Sequence, residues 1–272
     1  MKHESGVISG ATPLGARHVF SPYACDVFAA CYPETPHKLR HNLTQHPLLE
    51  LDALAELAES LPADSVDFNR GNAPIELTGK PGDSSQSIGE TIRAIAHSNG
   101  WAVLRNVGQD SAYGELLAAL IGELEPDIRR STGAMSTLEG CIFVSNLKTV
   151  TPNHSDPRHL LLMQLTGSKE LTQFPLDDTP PNEPMPSGSV WNLQPGDAVF
   201  VPVMVPHRIK GGAEPAVTLS LTWRSKWSQA EADARAFNAL LRRRGFNPGP
   251  TRRWPESNAA KAFLWKLCRN FA

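Results

Sequence analysis

The sequence predicts an α+β protein with a mostly β, barrel-like core and helices flanking it on both sides. Three observations predict it. Between Gly140 and Trp223 the apolar residues come in short runs of strand length, separated by Gly- and Pro-bearing turns. Before that stretch, apolar residues recur at intervals of three and four, the period of a helix with one buried face. After Trp227 the helical period returns. Helices with one strand among them, followed by a run of strands, suit a barrel with a helical flank.

Residues 1–46 are rich in Pro, Gly, Ala and His with no sustained period, and are expected to form an irregular N-terminal leader. Five of the histidines (His3, His18, His37, His41, His46) fall here at spacings that fit no metal site. From Pro47 the leucines at 48, 51, 54, 57 and 61 predict a helix. Ile88, Ile92, Ile95 and Ala96 predict a second one over Ser87 to Ser98, which Asn99-Gly100 ends. Trp101 to Val107 reads as a strand. A third helix over Ser111 to Leu124 buries Tyr113, Leu116, Leu117, Leu120 and Ile121. Cys141 to Ser145 is a continuous apolar strand, as expected where both sheet faces are covered. Further strands follow at Leu160–Leu165, Lys169–Phe174, Ala198–Val201 and Ala216–Trp223. Pro175 to Gly188, dense in proline and acid, is a loop and a candidate lid. Ala230, Ala234, Phe237 and Leu241 predict a helix, and a last one begins near Asn258. The expected organisation is a leader (1–46), a barrel with its helical flank (47–226) and a C-terminal helical segment (227–272).

The residues that carry chemistry lie in the barrel. In His154-Ser155-Asp156, residues i and i+2 of an extended strand would share a face. His207 follows a Pro195-Gly196-Asp197 turn and a short apolar strand, so it is expected on a neighbouring strand of the same sheet. Two imidazoles and a carboxylate can cap one face of a ferrous ion and leave the other face open, the arrangement of non-haem iron chemistry with dioxygen. A His-x-Asp pair alone is a common chance occurrence, and a histidine after a proline-rich strand end is equally a turn residue. The surrounding turns and strands give the set its weight.

The stretch from Val150 to Trp223 resembles the JmjC-like branch of the cupin superfamily, the Fe(II)- and 2-oxoglutarate-dependent oxygenases. The resemblance rests on Thr151-Pro152-Asn153-His154-Ser155-Asp156, on Gly167-Ser168-Lys169, and on Gly196, Pro202 and His207. Met204 and Gly211 depart from it, standing where a glycine and an asparagine are common. It implies a double-stranded β-helix (jelly-roll) barrel in which His154, Asp156 and His207 bind Fe(II). Lys169 would pair with the distal carboxylate of the cosubstrate 2-oxoglutarate, Thr151 would donate a hydroxyl to the same group, and Ser220 would sit nearby. Dioxygen would take the last metal position, and hydroxylation of a protein, peptide or small-molecule substrate would proceed through a ferryl intermediate. Arg158 and His159 are candidates for the substrate mouth, Asn146 and Trp191 for the pocket lining. The terminal helices resemble a pair through which related oxygenases form homodimers. Two other readings stay open: a metal-binding cupin with non-oxygenase chemistry, and a ligand-sensing regulatory protein.

Composition sets the outer limits. A net charge of −2 over 272 residues, 20% of them charged, gives no global case for nucleic-acid or membrane binding. No apolar run is long enough to cross a bilayer. Cys25, Cys31, Cys141 and Cys268 form no Cys-x-x-Cys pair and are expected as free thiols in the cytoplasm. The basic cluster Arg242-Arg243-Arg244, with Arg252-Arg253 beyond it, reads as a solvated cap on a helix C-terminus.

Overall fold

The computed structural model describes residues 18–69, 87–95, 100–146, 149–175 and 187–269. Its N-terminal part holds α1 (Pro22–Cys31), β1 (His37–Arg40), α2 (Leu51–Ser60), β2 (Val66–Asn69), α3 (Ile88–Ala94), β3 (Trp101–Leu104), α4 (Ser111–Gly122) and α5 (Glu125–Thr132). Eight strands follow: β4 (Met135–Ser145), β5 (Val150–His154), β6 (His159–Thr166), β7 (Lys169–Gln173), β8 (Ser189–Leu193), β9 (Asp197–Val201), β10 (His207–Gly211) and β11 (Ala216–Ser225). Helices α6 (Lys226–Arg243) and α7 (Ala259–Cys268) close the chain. Among the described residues no helix is long and apolar enough to cross a membrane.

The strands form a seven-stranded antiparallel sheet, β1-β9-β6-β11-β4-β3-β2, and a four-stranded one, β5-β10-β7-β8. From β4 to β11 the chain alternates between the two sheets except at the β7–β8 hairpin, which stays in the small one, so β4-β11-β6-β9 opposes β5-β10-β7-β8. That is the strand order of a jelly roll. Leu160, Leu162, Val199 and Val201 of the large sheet pack with Leu171 and Leu193 of the small one, which sets the sheets face to face. The other face of the large sheet is covered by helices. Ile142, Leu161, Met163, Phe200, Leu219, Leu221 and Trp223 join a core with Phe28, Leu54, Leu116 and Leu120. Both faces being covered, β6 and β11 are buried over nearly their whole length.

The expected leader is not irregular over its described part. Ser21 caps α1 by accepting the Ala24 N–H, and Pro22 stands at the first helical position, where its missing N–H costs nothing. Strand β1 then adds to the large sheet beside β9. Asp197, buried at the start of β9, receives Lys38 at 2.7 Å and Arg40 at 2.6 Å, which hold its carboxyl below the usual range and pin the added edge. The flanking helices begin and end close to where periodicity places them. Pro47–Leu49 is a separate 3₁₀ turn before α2. The tail of the second predicted helix and most of the candidate lid lie outside the described residues.

His159 does not face the substrate mouth. It starts β6 on the helix-facing side, fully buried, with its ring 5.0 Å from that of Tyr32 and 5.6 Å from that of Trp223. Neither ring nitrogen has a hydrogen-bond partner. Burial pushes its pKa down to about 3. The unfolded chain therefore binds a proton that the folded one refuses, and stability present above pH 6.5 is lost as pH falls toward 3. His159→Phe keeps a stacking ring and removes two unpaired polar atoms. It is expected to raise stability by about 1–3 kcal/mol at neutral pH and to flatten the acid side of the Tm profile. A Tm that falls, with the acid limb unchanged, would refute this reading.

Candidate functional site

The six residues expected at the metal and cosubstrate (Thr151, His154, Asp156, Lys169, His207 and Ser220) line one cavity of about 500 Å³ between the two sheets. Thr151, His154, Lys169, His207 and Ile209 come from the small sheet, and Asp156 from the turn after β5. Cys141, Phe143, Leu160, Leu162, Ser220 and Thr222 form the facing wall. Arg105, Glu139 and Arg158 ring the charged part of the lining.

His154 and His207 meet as the spacing predicts. Strand β10 pairs with β5 in a register that sets His207 directly opposite His154. Their ring centroids are 4.3 Å apart. Each holds its Nδ1 against the carbonyl two residues back, His154 with Pro152 at 2.9 Å and His207 with Val205 at 3.0 Å. With Nδ1 donating there, each Nε2 carries a free lone pair, the tautomer that a metal-ligating imidazole needs. The Nε2 of His207 is buried without a hydrogen-bond partner among the described residues. Burial, with His154 close by, pushes the His207 pKa down to about 4, so the ring is neutral at physiological pH.

Asp156 is placed differently from the expectation. Strand β5 ends at His154, and Asp156 stands in the following turn rather than on the same strand face. Its Oδ1 accepts from the Arg158 backbone N–H at 3.0 Å and from Nε at 3.0 Å, while Oδ2 accepts from Nη2 at 3.2 Å. Arg158 also pairs with Glu139 across the cavity rim. Among the described residues no three His, Cys, Asp or Glu side chains come together as a metal-holding group. The two imidazoles thus fit a metal by tautomer and by the unpaired Nε2. The carboxylate shares their cavity but is occupied by a guanidinium. A local carboxylate–arginine pairing two residues apart, closed by a backbone N–H, is a short-range competitor that the spacing alone did not reveal.

Lys169 opens β7, after a turn that only glycine can make. Gly167 has φ +65°, and a Cβ there would come within 2.3 Å of the Pro215 carbonyl oxygen. The ammonium reaches over the Phe143 ring of the opposite sheet, 5.4 Å from its centroid. The side chain is buried, and among the described residues no carboxylate pairs with it. Burial lowers its pKa to about 8, with Cys141 acting weakly the other way. The same dry environment pushes the Cys141 thiol up to about 12, so it is no nucleophile. Thr151 and Ser220 are buried on opposite walls. Asn146 and Trp191 are not among the cavity lining; Trp191 instead donates its Nε1–H to Gln173 Oε1 at 2.8 Å.

Met204 takes φ +62°, a conformation open to glycine and uncommon for other residues. Its N–H donates to the Asp156 carbonyl at 2.8 Å, tying the loop before His207 to the turn after His154. Sequence reasoning missed the rim residues Glu139 and Arg105 and the cavity face of β4. The signal was the alternation within Cys141-Ile142-Phe143-Val144, in which 141 and 143 face the cavity while 142 and 144 join the helical core.

The fold and cavity together define a class, a jelly-roll protein with a histidine-bearing cavity between its two sheets. The particular likeness is to YcfD of Escherichia coli, which matches with a TM-score of 0.53 and 18% identity over 91% of this chain and 68% of YcfD. YcfD is a ribosomal oxygenase. Its complexes with cobalt and succinic acid (17% identity) and with cobalt and 2-oxoglutarate (18%) each match at a TM-score of 0.51, covering 92% of this chain and 67% of theirs. At that identity the likeness establishes the shared fold. No family model and no curated protein matches the sequence.

Proposed function

We propose that the protein is a 2-oxoglutarate-dependent non-haem iron dioxygenase. The observation that carries the proposal is the buried Lys169 ammonium, which has no carboxylate partner among the described residues, in the same cavity as two imidazoles whose Nδ1 atoms each face a backbone carbonyl. A buried unpaired cation is costly, so its retention calls for an anionic ligand. 2-Oxoglutarate supplies one carboxylate for Lys169 and a second carboxylate with a keto oxygen for a metal. The cobalt and 2-oxoglutarate bound by YcfD support the same assignment.

His154 and His207 would hold the ion, and Asp156 is the third candidate ligand. Joining them requires its carboxylate to share or exchange its Arg158 contacts. Bound iron would supply activation of dioxygen, coupled to oxidative decarboxylation of 2-oxoglutarate and hydroxylation of a substrate. The chain's own residues bind and exclude. Lys169 anchors the distal carboxylate by a charge-assisted hydrogen bond, and Thr151 adds a hydroxyl on the same sheet. Leu160, Leu162, Ile209 and Phe143 keep the cavity apolar, which strengthens that pairing. Ser220 and Thr222 offer polar contacts on the facing wall. A metal-binding cupin without 2-oxoglutarate has no use for Lys169 at that position.

The test is consumption of 2-oxoglutarate by the iron-loaded protein in air, followed as succinate. Formation of succinate that stops without iron or without oxygen is expected. No turnover, with iron demonstrably bound, would overturn the proposal. Four free thiols and no disulfide fit a cytoplasmic location. Phe263, Leu264 and Leu267 are exposed on α7, which supports a homodimer through the C-terminal helices. Light scattering should then give twice the chain mass, falling to one chain mass in Phe263→Asp/Leu267→Asp. A monomeric wild type would exclude the dimer.

A further inference from the structure

The basic cluster of the C-terminal segment is divided by the fold. Arg252 pairs with Glu256 on the surface. Arg242, Arg243 and Arg244 are all exposed, and the last two belong to no cavity described. Arg242 and Arg253, by contrast, converge with Arg235 on a separate cavity of about 300 Å³, which Asn238, Thr251 and Met204 help to line.

The charges there do not cancel. Glu231, fully buried on α6, accepts from Arg235 at 2.8 and 3.2 Å and receives Arg253 Nη1 at 3.5 Å. Glu34 accepts Arg253 Nε at 2.7 Å. The Arg242 side chain has no ion pair or hydrogen bond among the described residues, its backbone carbonyl accepting from the Gly245 N–H at 3.0 Å. Three guanidiniums thus face two carboxylates, with N–H donors to spare. Asn238 is buried, and its Oδ1 lacks a partner although its Nδ2 donates to the Gly249 carbonyl at 3.0 Å. An occupant that suits this lining carries a compact, multiply charged oxyanion with a hydroxyl close to it. Guanidinium forks match phosphate oxygens in just this way.

We propose that Arg235, Arg242 and Arg253 form a binding site for a phosphate group, as free hydrogenphosphate or as a small phosphate monoester. A solvated helix cap does not account for the arrangement. Arg242 and Arg243 occupy the same last turn of α6 and serve its dipole equally, yet only Arg242 lines the cavity. The site lies outside the sheet-enclosed cavity. It touches that cavity's frame through Met204, whose N–H holds the Asp156 carbonyl.

The probes are inorganic phosphate and glycerol 3-phosphate, titrated into the full chain against sodium chloride of matched ionic strength. Calorimetry and thermal unfolding report binding. Saturable binding with a rise in Tm is expected for the wild type, for Arg243→Ala and for Lys169→Ala, the last excluding capture in the other cavity. Arg242→Ala, which breaks no contact within the fold, is expected to weaken binding by about tenfold or more, the loss of one charge-assisted interaction. The tighter of the two probes identifies the source of the phosphate. No effect beyond chloride would overturn the site. So would binding lost in Lys169→Ala but kept in Arg242→Ala, equal losses in Arg242→Ala and Arg243→Ala, or tighter binding of a short RNA than of either probe.

Discussion

His207→Ala is expected to weaken Co(II) binding by at least about 100-fold. Loss of a group that merely orients a ligand already costs about 10- to 100-fold, and His207 presents its Nε2 itself, buried and without a partner among the described residues. A Co(II) titration followed by visible absorption measures the change. His207 is packed in the sheet interior, so the substitution also removes volume from the core. His154→Ala, at a half-exposed ring on the neighbouring strand, therefore serves as the second variant and should lose affinity comparably. Equal affinity in wild type and both variants would remove the two histidines from any metal site. Asp156→Ala adds information about the carboxylate: a smaller loss than that of either histidine would show that Arg158 retains it.

Lys169→Met is expected to move stability and cosubstrate affinity in opposite directions. Removing a buried ammonium that lacks a carboxylate among the described residues should raise the Tm of the ligand-free protein. The same change removes a charge-assisted hydrogen bond worth about 1.5–3 kcal/mol, and should weaken 2-oxoglutarate binding by about 10- to 150-fold. A lysine kept only for packing would show no loss of affinity. The pH dependence has a definite sign. Burial lowers the folded pKa of Lys169 to about 8, while the unfolded chain keeps its proton up to about 10.5. The stability penalty of the buried charge is complete below pH 8 and is relieved as pH rises through that value. Affinity of the free enzyme for 2-oxoglutarate should fall over the same range, because the neutral amine no longer attracts a carboxylate. Both limbs should vanish in Lys169→Met.

Much of this architecture is legible in the sequence because the jelly roll keeps the period-2 pattern wherever one sheet face is polar. In Val217-Thr218-Leu219-Ser220-Leu221-Thr222-Trp223 the odd positions enter the helical core, while Ser220 and Thr222 line the cavity. His154 meets His207 because β5 ends and β10 begins at these residues, which pair directly across the small sheet. The placement of Asp156 was not legible, because whether a chain stays extended for two more residues depends on local competitors, here the side chain and backbone N–H of Arg158. Nor was strand β1, whose ladder to β9, buried Leu39 and ion pairs from Lys38 and Arg40 to Asp197 all depend on residues far away in sequence. His159 shows the same limit. Beside the ligand segment it reads as a mouth residue, yet the strand begins there and turns it into the aromatic core. Partners distant in the chain decided the last two, and a neighbour two residues away decided the first.

The central claim is that one cavity holds a metal at His154 and His207 and 2-oxoglutarate at Lys169 together. Anaerobic addition of 2-oxoglutarate to the Fe(II)-loaded protein tests it most directly, through the weak visible charge-transfer absorption of the iron-bound 2-keto acid. The account predicts that the band appears in the wild type, needs much more 2-oxoglutarate in Lys169→Met, and is absent in His207→Ala. A wild-type protein that binds iron yet shows no band at saturating 2-oxoglutarate would contradict it.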